Sequence, residues 1–172
     1  MPRLVSLVFT ALLTGSAWCQ SPATRTEPSA LDQIPGYQRH TIEGFTLLIN
    51  EDVFRANTEN FERKPLEVLE LELKLIIKLM NQKLVNVLRR LLIWVEWAER
   101  EDLSNGRPGT PVAVYYGGHQ LSLLREGKHP LKAKTITILR MDLLTAEHQP
   151  KRDSGRSVLL HEMAHAVHDQ LL

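Results

Sequence analysis

The chain is poor in cysteine, with Cys19 as the only one among its 172 residues. A mature chain that starts after Cys19 has no thiol and forms no disulfide, so an exported domain of this kind must be stabilised by its core. About 150 residues are enough for one domain with such a core and too few for two sizeable ones. The sequence therefore predicts a single domain after its N-terminal segments.

An excess of charge of one sign is also absent, because 21 lysines and arginines are matched by 20 aspartates and glutamates. No basic run is interleaved with aromatic residues, and no internal repeat is visible. The charge pattern therefore gives no basis for binding to nucleic acid or to an anionic membrane surface.

The N-terminal apolar run, residues 4–13, is too short to span a bilayer as a helix. A basic N-terminus precedes it, and the small residues Ala17 and Cys19 follow it. This pattern predicts that residues 1–19 are a cleaved signal peptide and that the protein is secreted or reaches the periplasm or cell envelope. The alternatives are an uncleaved helix and a lipoprotein acylated at Cys19, which the bulky Trp18 disfavours.

Residues 20–36 are rich in proline, serine, threonine and alanine and lack periodicity, which predicts a flexible linker. The folded domain is expected to cover residues 37–172. Two short extended segments, Tyr37–Ile42 and Phe45–Asn50, are separated by a Glu-Gly pair and predict a hairpin at its start.

The last part of the chain contains the pattern H-E-x-x-H, as His161-Glu-Met-Ala-His165. Residues four apart on an α-helix lie about 40° apart around the axis and about 6 Å apart along it. His161 and His165 can therefore direct imidazole nitrogens at one metal ion. Glu162 lies outside that coordination shell and within reach of a water on the metal, which predicts a general base.

The residues around the motif favour a helix, with Asp153 and Ser154 as candidate N-cap residues. Two apolar stripes recur at helical spacing and leave only a narrow polar strip, so we expect burial on most sides and a strip that faces a cleft or a metal. The plainer alternative is an ordinary helix with hydrogen-bonded histidines. The stripes are Leu159, Met163 and Val167, and Leu160, Ala164 and Leu171; the strip holds His161, Glu162, His165, His168 and Asp169.

The segment around His161 and His165 resembles the active-site helix of the zincin metallopeptidases. The resemblance implies that the two histidines bind Zn²⁺, that Glu162 polarises the attacking water, and that the substrate is a peptide or protein. Metzincins have Gly and a third His where this sequence has His168 and Leu171. The chain therefore looks more like a gluzincin, whose third ligand is a Glu on a later helix, and is loosely similar to the catalytic domain of anthrax lethal factor.

Upstream segments are similar to a group of secreted bacterial zincin-like proteins, namely 64–71 (KPLEVLEL), 92–97 (LIWVEW) and 134–138 (KTITI). The predicted order of strand, helix, strands and metal helix resembles the N-terminal half of a zincin. This implies an α+β (α/β) fold with a mixed sheet and a long backing helix. In that fold the edge strand of the sheet lies beside the cleft and pairs with an extended substrate, and residues 112–116 are the candidate for it.

Pro65 begins the strongest helical pattern in the chain, because proline is tolerated in the first turn. Two apolar stripes follow as far as Met80 and predict burial on most of the circumference. A shorter helix is expected at 82–90. The apolar run 91–97 predicts an interior strand reached by a βαβ crossover, and the Thr/Ile alternation in 134–139 predicts the last strand. The second stripe of the long helix consists of Val68, Leu71, Leu75 and Leu79.

The metal site lacks one ligand, because catalytic zinc takes three protein ligands and the motif supplies two. His168 is about 10.5 Å along the helix from His161, which suits a hydrogen bond to a metal ligand or to the substrate better than coordination. His119 is the other histidine worth testing. Leu172 ends a helix without a stop signal, so the third ligand and the rest of the cleft are expected beyond it. Three further histidines are interpreted as surface residues: His40, His129 and His148.

Two functional classes fit these features. In the first, the protein is an exported zinc endopeptidase in which Glu162 takes a proton as water attacks the peptide carbonyl. In the second, it is a noncatalytic secreted module that binds zinc or a partner through a degenerate or truncated site. Glu162 favours the first class, because a purely structural metal site does not need a carboxylate at that position.

Overall fold

The structure is a computed structural model that describes residues 30–99, 111–150 and 156–171. The predicted signal peptide, residues 1–19, lies outside these ranges, as does most of the predicted linker, residues 20–36. At the end of the linker, Ala30–Gln33 forms a short 3-10 helix. Asp32 in this helix forms an ion pair with Arg39 at 3.0 Å. The folded part of the chain therefore includes the end of the predicted linker.

The hairpin predicted at the start of the domain is confirmed. Strand β1 (Tyr37–Ile42) pairs antiparallel with strand β2 (Phe45–Asn50). Both turn residues have positive φ, 52° at Glu43 and 81° at Gly44, the combination that matches the twist of a two-residue hairpin. A Cβ on Gly44 would lie 2.8 Å from Nε of Arg89, which donates a hydrogen bond to the Glu43 carbonyl. A side chain at this position would therefore displace Arg89 in addition to straining the backbone.

Three further strands complete a mixed sheet: β3 (Leu92–Val95), β4 (Ala113–Tyr115) and β5 (Ile136–Ile138). Within the described residues the order is β1-β2-β3-β5-β4, in which β2, β3 and β5 are parallel and β4 is an antiparallel edge strand. The interior strand predicted in 91–97 and the edge strand predicted in 112–116 are confirmed. The mixed α+β class is confirmed with them.

The helices of the described residues include those predicted from the sequence and others that the sequence patterns do not predict. Those among the described residues are α1 (Glu51–Arg55), α2 (Pro65–Leu79), α3 (Gln82–Leu88), α4 (Gln120–Arg125), α5 (Met141–Glu147) and α6 (Val158–Leu171). A second 3-10 helix covers Pro130–Lys132. Helices α2 and α3 confirm the predictions at 65–80 and 82–90, whereas the sequence patterns do not predict α1, α4 or α5. In the described part of the chain, no helix has both the length and the apolar character needed to cross a membrane.

The prediction that α2 is buried on most of its circumference is wrong. Leu69, Leu73 and Ile76 are fully buried, whereas Leu71 and Leu79 of the second stripe are 43% and 59% exposed. Helix α2 packs against β1, α3, α5 and α6. These neighbours cover Val68 of the second stripe as well, and leave Leu71 and Leu79 in contact with solvent.

Helix α6 is also buried along one stripe and not on most sides as predicted. Leu159, Met163 and Ala166 are at most 2% exposed and belong to the core formed with α2 and the central strands. Their spacing places them on one face of the helix. Ala164, which was expected on a buried stripe, is exposed together with His161. Because the buried stripe faces the core, the two histidines of the H-E-x-x-H motif lie on the side of the helix that faces solvent.

Candidate metal centre

Helix α6 begins directly after Ser157. The Oγ atom of Ser157 accepts a hydrogen bond from the Leu160 backbone N–H at 2.9 Å, as an N-cap residue does. The predicted caps, Asp153 and Ser154, lie outside the described residues. Ser157 therefore fixes the start of the helix one turn before His161.

The rings of His161 and His165 converge on the exposed side of α6. Their Nε2 atoms are 3.1 Å apart, and the ring planes are nearly perpendicular, at 89°. Two imidazole nitrogens on a tetrahedral zinc ion at about 2.05 Å would be about 3.3 Å apart. The observed separation also fits a hydrogen bond between two neutral imidazoles. The hydrogen-bonded arrangement of the two rings therefore differs from a metal-binding arrangement by only a small rotation of either ring.

Glu162 is held by the edge strand of the sheet. Its Oε2 atom accepts a hydrogen bond from the backbone N–H of Tyr115 at 2.7 Å. Tyr116 pairs with β5, because its N–H donates to the Thr135 carbonyl and its carbonyl accepts from the Lys134 N–H. Along an antiparallel strand the backbone N–H and C=O groups of successive residues point alternately to the two sides. Those of Tyr115 therefore point away from β5, to the free edge of β4. The free edge of β4 therefore lies against the carboxylate of the motif.

A second contact joins β4 to the C-terminal turn of α6. The hydroxyl of Tyr115 donates to Oδ2 of Asp169 at 2.7 Å, and Nζ of Lys134 donates to the same oxygen at 2.6 Å. These hydrogen bonds, that of Lys134 first, lower the pKa of Asp169 below its ordinary value. A carboxylate near a helix C-terminus is disfavoured by the helix dipole, and the ammonium group offsets that effect. Tyr115 therefore holds α6 at two positions, Glu162 and Asp169.

The residues of this contact were only partly predicted. The polar strip of the sequence pattern contains Glu162 and Asp169, but it gives no indication of their partners on β4. Lys134 has a φ of 58°, which is uncommon for a residue other than glycine. Ser157, in contrast, follows the N-cap rule directly, because it immediately precedes the first apolar residue of the helix.

Replacing Tyr115 by phenylalanine is expected to cause a small decrease in the urea midpoint of unfolding, because the ring stays and the exposed hydroxyl bond to Asp169 is lost. The backbone N–H that holds Glu162 is unchanged. The contact is tested with a double-mutant cycle against Asp169→Ala, measured by urea denaturation. The combined variant should lose less than the sum of the two single losses. Additive losses would contradict the contact.

The other candidate ligands do not join the His161–His165 pair. Within residues 30–99, 111–150 and 156–171, no three His, Cys, Asp or Glu side chains are placed to hold a metal ion. His168 is exposed, and its hydrogen bond to a metal ligand or to the substrate stays a prediction. His119 is exposed at the start of α4 and makes no capping hydrogen bond there.

The surface interpretation is wrong for His148, which is only 8% exposed. Helix α5, which the sequence patterns do not predict, ends at this residue and places the ring against α2. Its Nε2 atom lies 2.5 Å from Oε1 of Glu72, and its Nδ1 atom lies 2.9 Å from the Leu144 carbonyl. His129 acts as a cap, because its Nδ1 accepts the Leu131 N–H at 3.2 Å.

The described part of the centre thus consists of two convergent imidazoles, a carboxylate held by a backbone N–H, and a sheet edge beside them. Its chemistry suits one divalent ion of the zinc type, because imidazole is a preferred zinc ligand. The likeness to zincins is one of sequence, in the motif and the upstream segments. No family model, no curated protein and no solved structure matches the chain.

Proposed function

We propose that the protein is an exported zinc metallopeptidase of the gluzincin type, which hydrolyses peptide bonds in extended segments of peptides or proteins. The observation that carries the proposal is the 3.1 Å approach of the His161 and His165 Nε2 atoms on an exposed helix face. The neighbouring carboxylate of Glu162, fixed at the sheet edge, supports hydrolysis over a purely structural metal site.

His161 and His165 would hold the metal, because both present Nε2 to the same small volume. Zinc bound there would supply Lewis-acid chemistry, activating a water molecule and stabilising negative charge on the carbonyl oxygen under attack. A catalytic site needs a third protein ligand. In this proposal that ligand comes from outside the described residues, among which no group of three suitable side chains is placed to hold a metal ion. A Glu on a later helix is the ligand that the gluzincin type would use.

Glu162 would act as the general base that removes a proton from the attacking water. The Tyr115 N–H holds its Oε2 atom at 2.7 Å and so restricts the orientation of the carboxylate. A base that is already oriented needs less ordering to reach the transition state. We assign proton transfer to the other oxygen, Oε1, which accepts no hydrogen bond from the described part of the chain.

Strand β4 would bind the substrate backbone by strand addition. The alternation along β4 places the backbone groups of Ala113 and Tyr115 at the free edge. Glu162 already occupies the Tyr115 N–H, and the Gly117 N–H donates to the Tyr115 carbonyl at 3.2 Å. Ala113, the remaining edge position, is only 4% exposed, so an extended peptide would have to displace the groups that cover it in order to pair there.

Zinc binding is tested on the full-length protein with a His165→Ala variant. The wild type is expected to hold one zinc ion per chain, as measured by elemental analysis and by competition with a chromophoric chelator. Loss of His165 removes a direct ligand, so the affinity should fall by more than the roughly 10–100-fold that loss of a second-shell partner causes.

The matched control is His168→Ala, which removes an imidazole from the same exposed helix. This variant should keep the zinc ion and lose at most roughly 10–100-fold in affinity, because His168 is too far along the helix to share the ion with His161 and could only support a ligand. A wild-type protein without stoichiometric zinc, or a His165→Ala variant that binds as tightly as the wild type, would contradict the proposed site.

The second candidate function is a noncatalytic module that binds zinc or a partner. One observation favours it: the described residues provide no three-ligand group. A module of this kind would bind zinc without hydrolysing peptides. The two functions are separated by the activity of the zinc-loaded wild type and of the Glu162→Gln variant.

A further inference from the structure

A buried carboxylate lies beneath the start of the motif helix. Glu72 of α2 is 1% exposed, and both of its oxygens are hydrogen-bonded. Oε1 lies 2.5 Å from Nε2 of His148, and Oε2 accepts the Ser157 hydroxyl at 2.6 Å. The sequence patterns had assigned this glutamate no role. One side chain therefore links α2, the end of α5 and the cap of α6.

The hydrogen bonds of this group form a directed chain. The hydroxyl of Ser157 accepts the Leu160 N–H at 2.9 Å, so its own hydrogen points to Glu72. Nδ1 of His148 faces the Leu144 carbonyl, which can only accept, so this nitrogen carries a hydrogen. One further proton, shared between Nε2 of His148 and Oε1 of Glu72, gives each of these two atoms a hydrogen-bond partner. A buried carboxylate without such partners would be strongly disfavoured.

The first turn of α6 depends on this cap. The backbone bond from the His161 N–H to the Ser157 carbonyl is long, at 3.4 Å. The N–H groups before it have no backbone partner within the helix, because the carbonyl groups four residues earlier lie before the helix begins. His161 therefore lies in the first turn of α6, where backbone hydrogen bonds are fewest, and Ser157 is the side chain that caps this turn.

We propose that Glu72 and His148 are positioning residues of the metal centre, which act through Ser157 to hold His161 opposite His165. This inference rests on the proposed zinc site. Fraying of the first turn would move His161 but not His165, which lies one turn further into the helix. The spacing of the two ligands would then be lost while the core of the domain stays folded.

The main test is the zinc affinity of Ser157→Ala and Ser157→Thr, measured by chelator competition on the full-length protein. Ser157→Ala should bind zinc about tenfold more weakly, as expected for loss of a group that orients a ligand. Ser157→Thr keeps the hydroxyl and should restore most of the affinity. Glu72→Met should cause a similar loss, and combining it with Ser157→Ala should add little, because both changes break one chain of contacts.

The matched control is Asn81→Ala, which removes the N-cap of α3. Asn81 accepts the Leu84 N–H at 3.0 Å, a bond of the same kind as that of Ser157. This variant should lose stability through the same kind of cap. Its zinc affinity should stay at the wild-type value, because α3 carries no ligand.

A second measurement works without metal. Hydrogen exchange of the Leu160 and His161 amides should become at least about tenfold faster in Ser157→Ala, while the Met163 amide exchanges as in the wild type. Unchanged exchange, or a Ser157→Ala affinity equal to that of the wild type, would overturn the positioning role and leave the proposed function standing. A wild type that binds no zinc would overturn both.

Discussion

Glu162→Gln is expected to bind zinc as tightly as the wild type and to hydrolyse peptides about 100-fold to 10,000-fold more slowly, the range that a general base contributes. Glutamine has nearly the same shape, and its amide oxygen can still accept the Tyr115 N–H. The metal ligands on either side are unchanged. An amide cannot take up a proton from water at neutral pH, so the lost step is proton transfer alone.

The experiment uses zinc-saturated protein and an internally quenched peptide, with turnover and zinc content measured on the same samples. The matched control is Glu147→Gln, which makes the same chemical change at an exposed position of α5. Equal turnover in the wild type and Glu162→Gln would refute the mechanism. A wild type that holds zinc but cleaves no peptide would instead favour the noncatalytic module.

The helix motif was predictable because its geometry is local. Two residues four apart on a helix share a face, and this fixes the approach of His161 and His165 before any tertiary contact is known. The edge position of β4 was predictable from the order of elements implied by the zincin resemblance. The hold of Tyr115 on Glu162 and Asp169 was not, because it depends on the register of β4 against α6.

Burial was predicted less well than secondary structure. Periodicity identifies apolar stripes, but a stripe is buried only where another element covers it. In α2 the second stripe begins in the core at Val68 but continues to Leu71 and Leu79, which are exposed. His148 shows the reverse error, because the unpredicted helix α5 carries an isolated polar residue into contact with the buried Glu72.

The carboxyl ends of the central strands meet at a second buried acid, Glu96, which is 5% exposed. Nζ of Lys132 lies 2.9 Å from its Oε1, and the hydroxyl of Tyr37 donates to the same oxygen at 2.6 Å. Nδ2 of Asn50 donates to Oε2 at 3.0 Å. Burial, and then the hydrogen bond to Glu96, raise the pKa of Tyr37 well above its ordinary value, so the phenol remains a donor.

Lys132→Met is expected to lower the free energy of unfolding by about 3–5 kcal/mol, the cost of leaving one partner of a buried ion pair without compensation. Methionine keeps most of the side-chain volume, so the loss reports the charge. Tyr37 and Asn50 continue to donate to Glu96, but neither supplies a positive charge. Urea denaturation monitored by far-UV circular dichroism measures the difference, because this signal does not depend on the Trp94 ring, which lies 5.5 Å from Nζ of Lys132.

The matched control is Lys74→Met, which removes an ammonium group paired with Glu70 on the exposed face of α2. Solvent screens that pair, so its loss should change stability far less. Adding Glu96→Gln to Lys132→Met should recover part of the loss, because no charge is then left unpaired in the interior. If Lys132→Met and Lys74→Met destabilise the protein equally, the ends of β1, β2 and β3 are held by apolar packing and not by this ion pair.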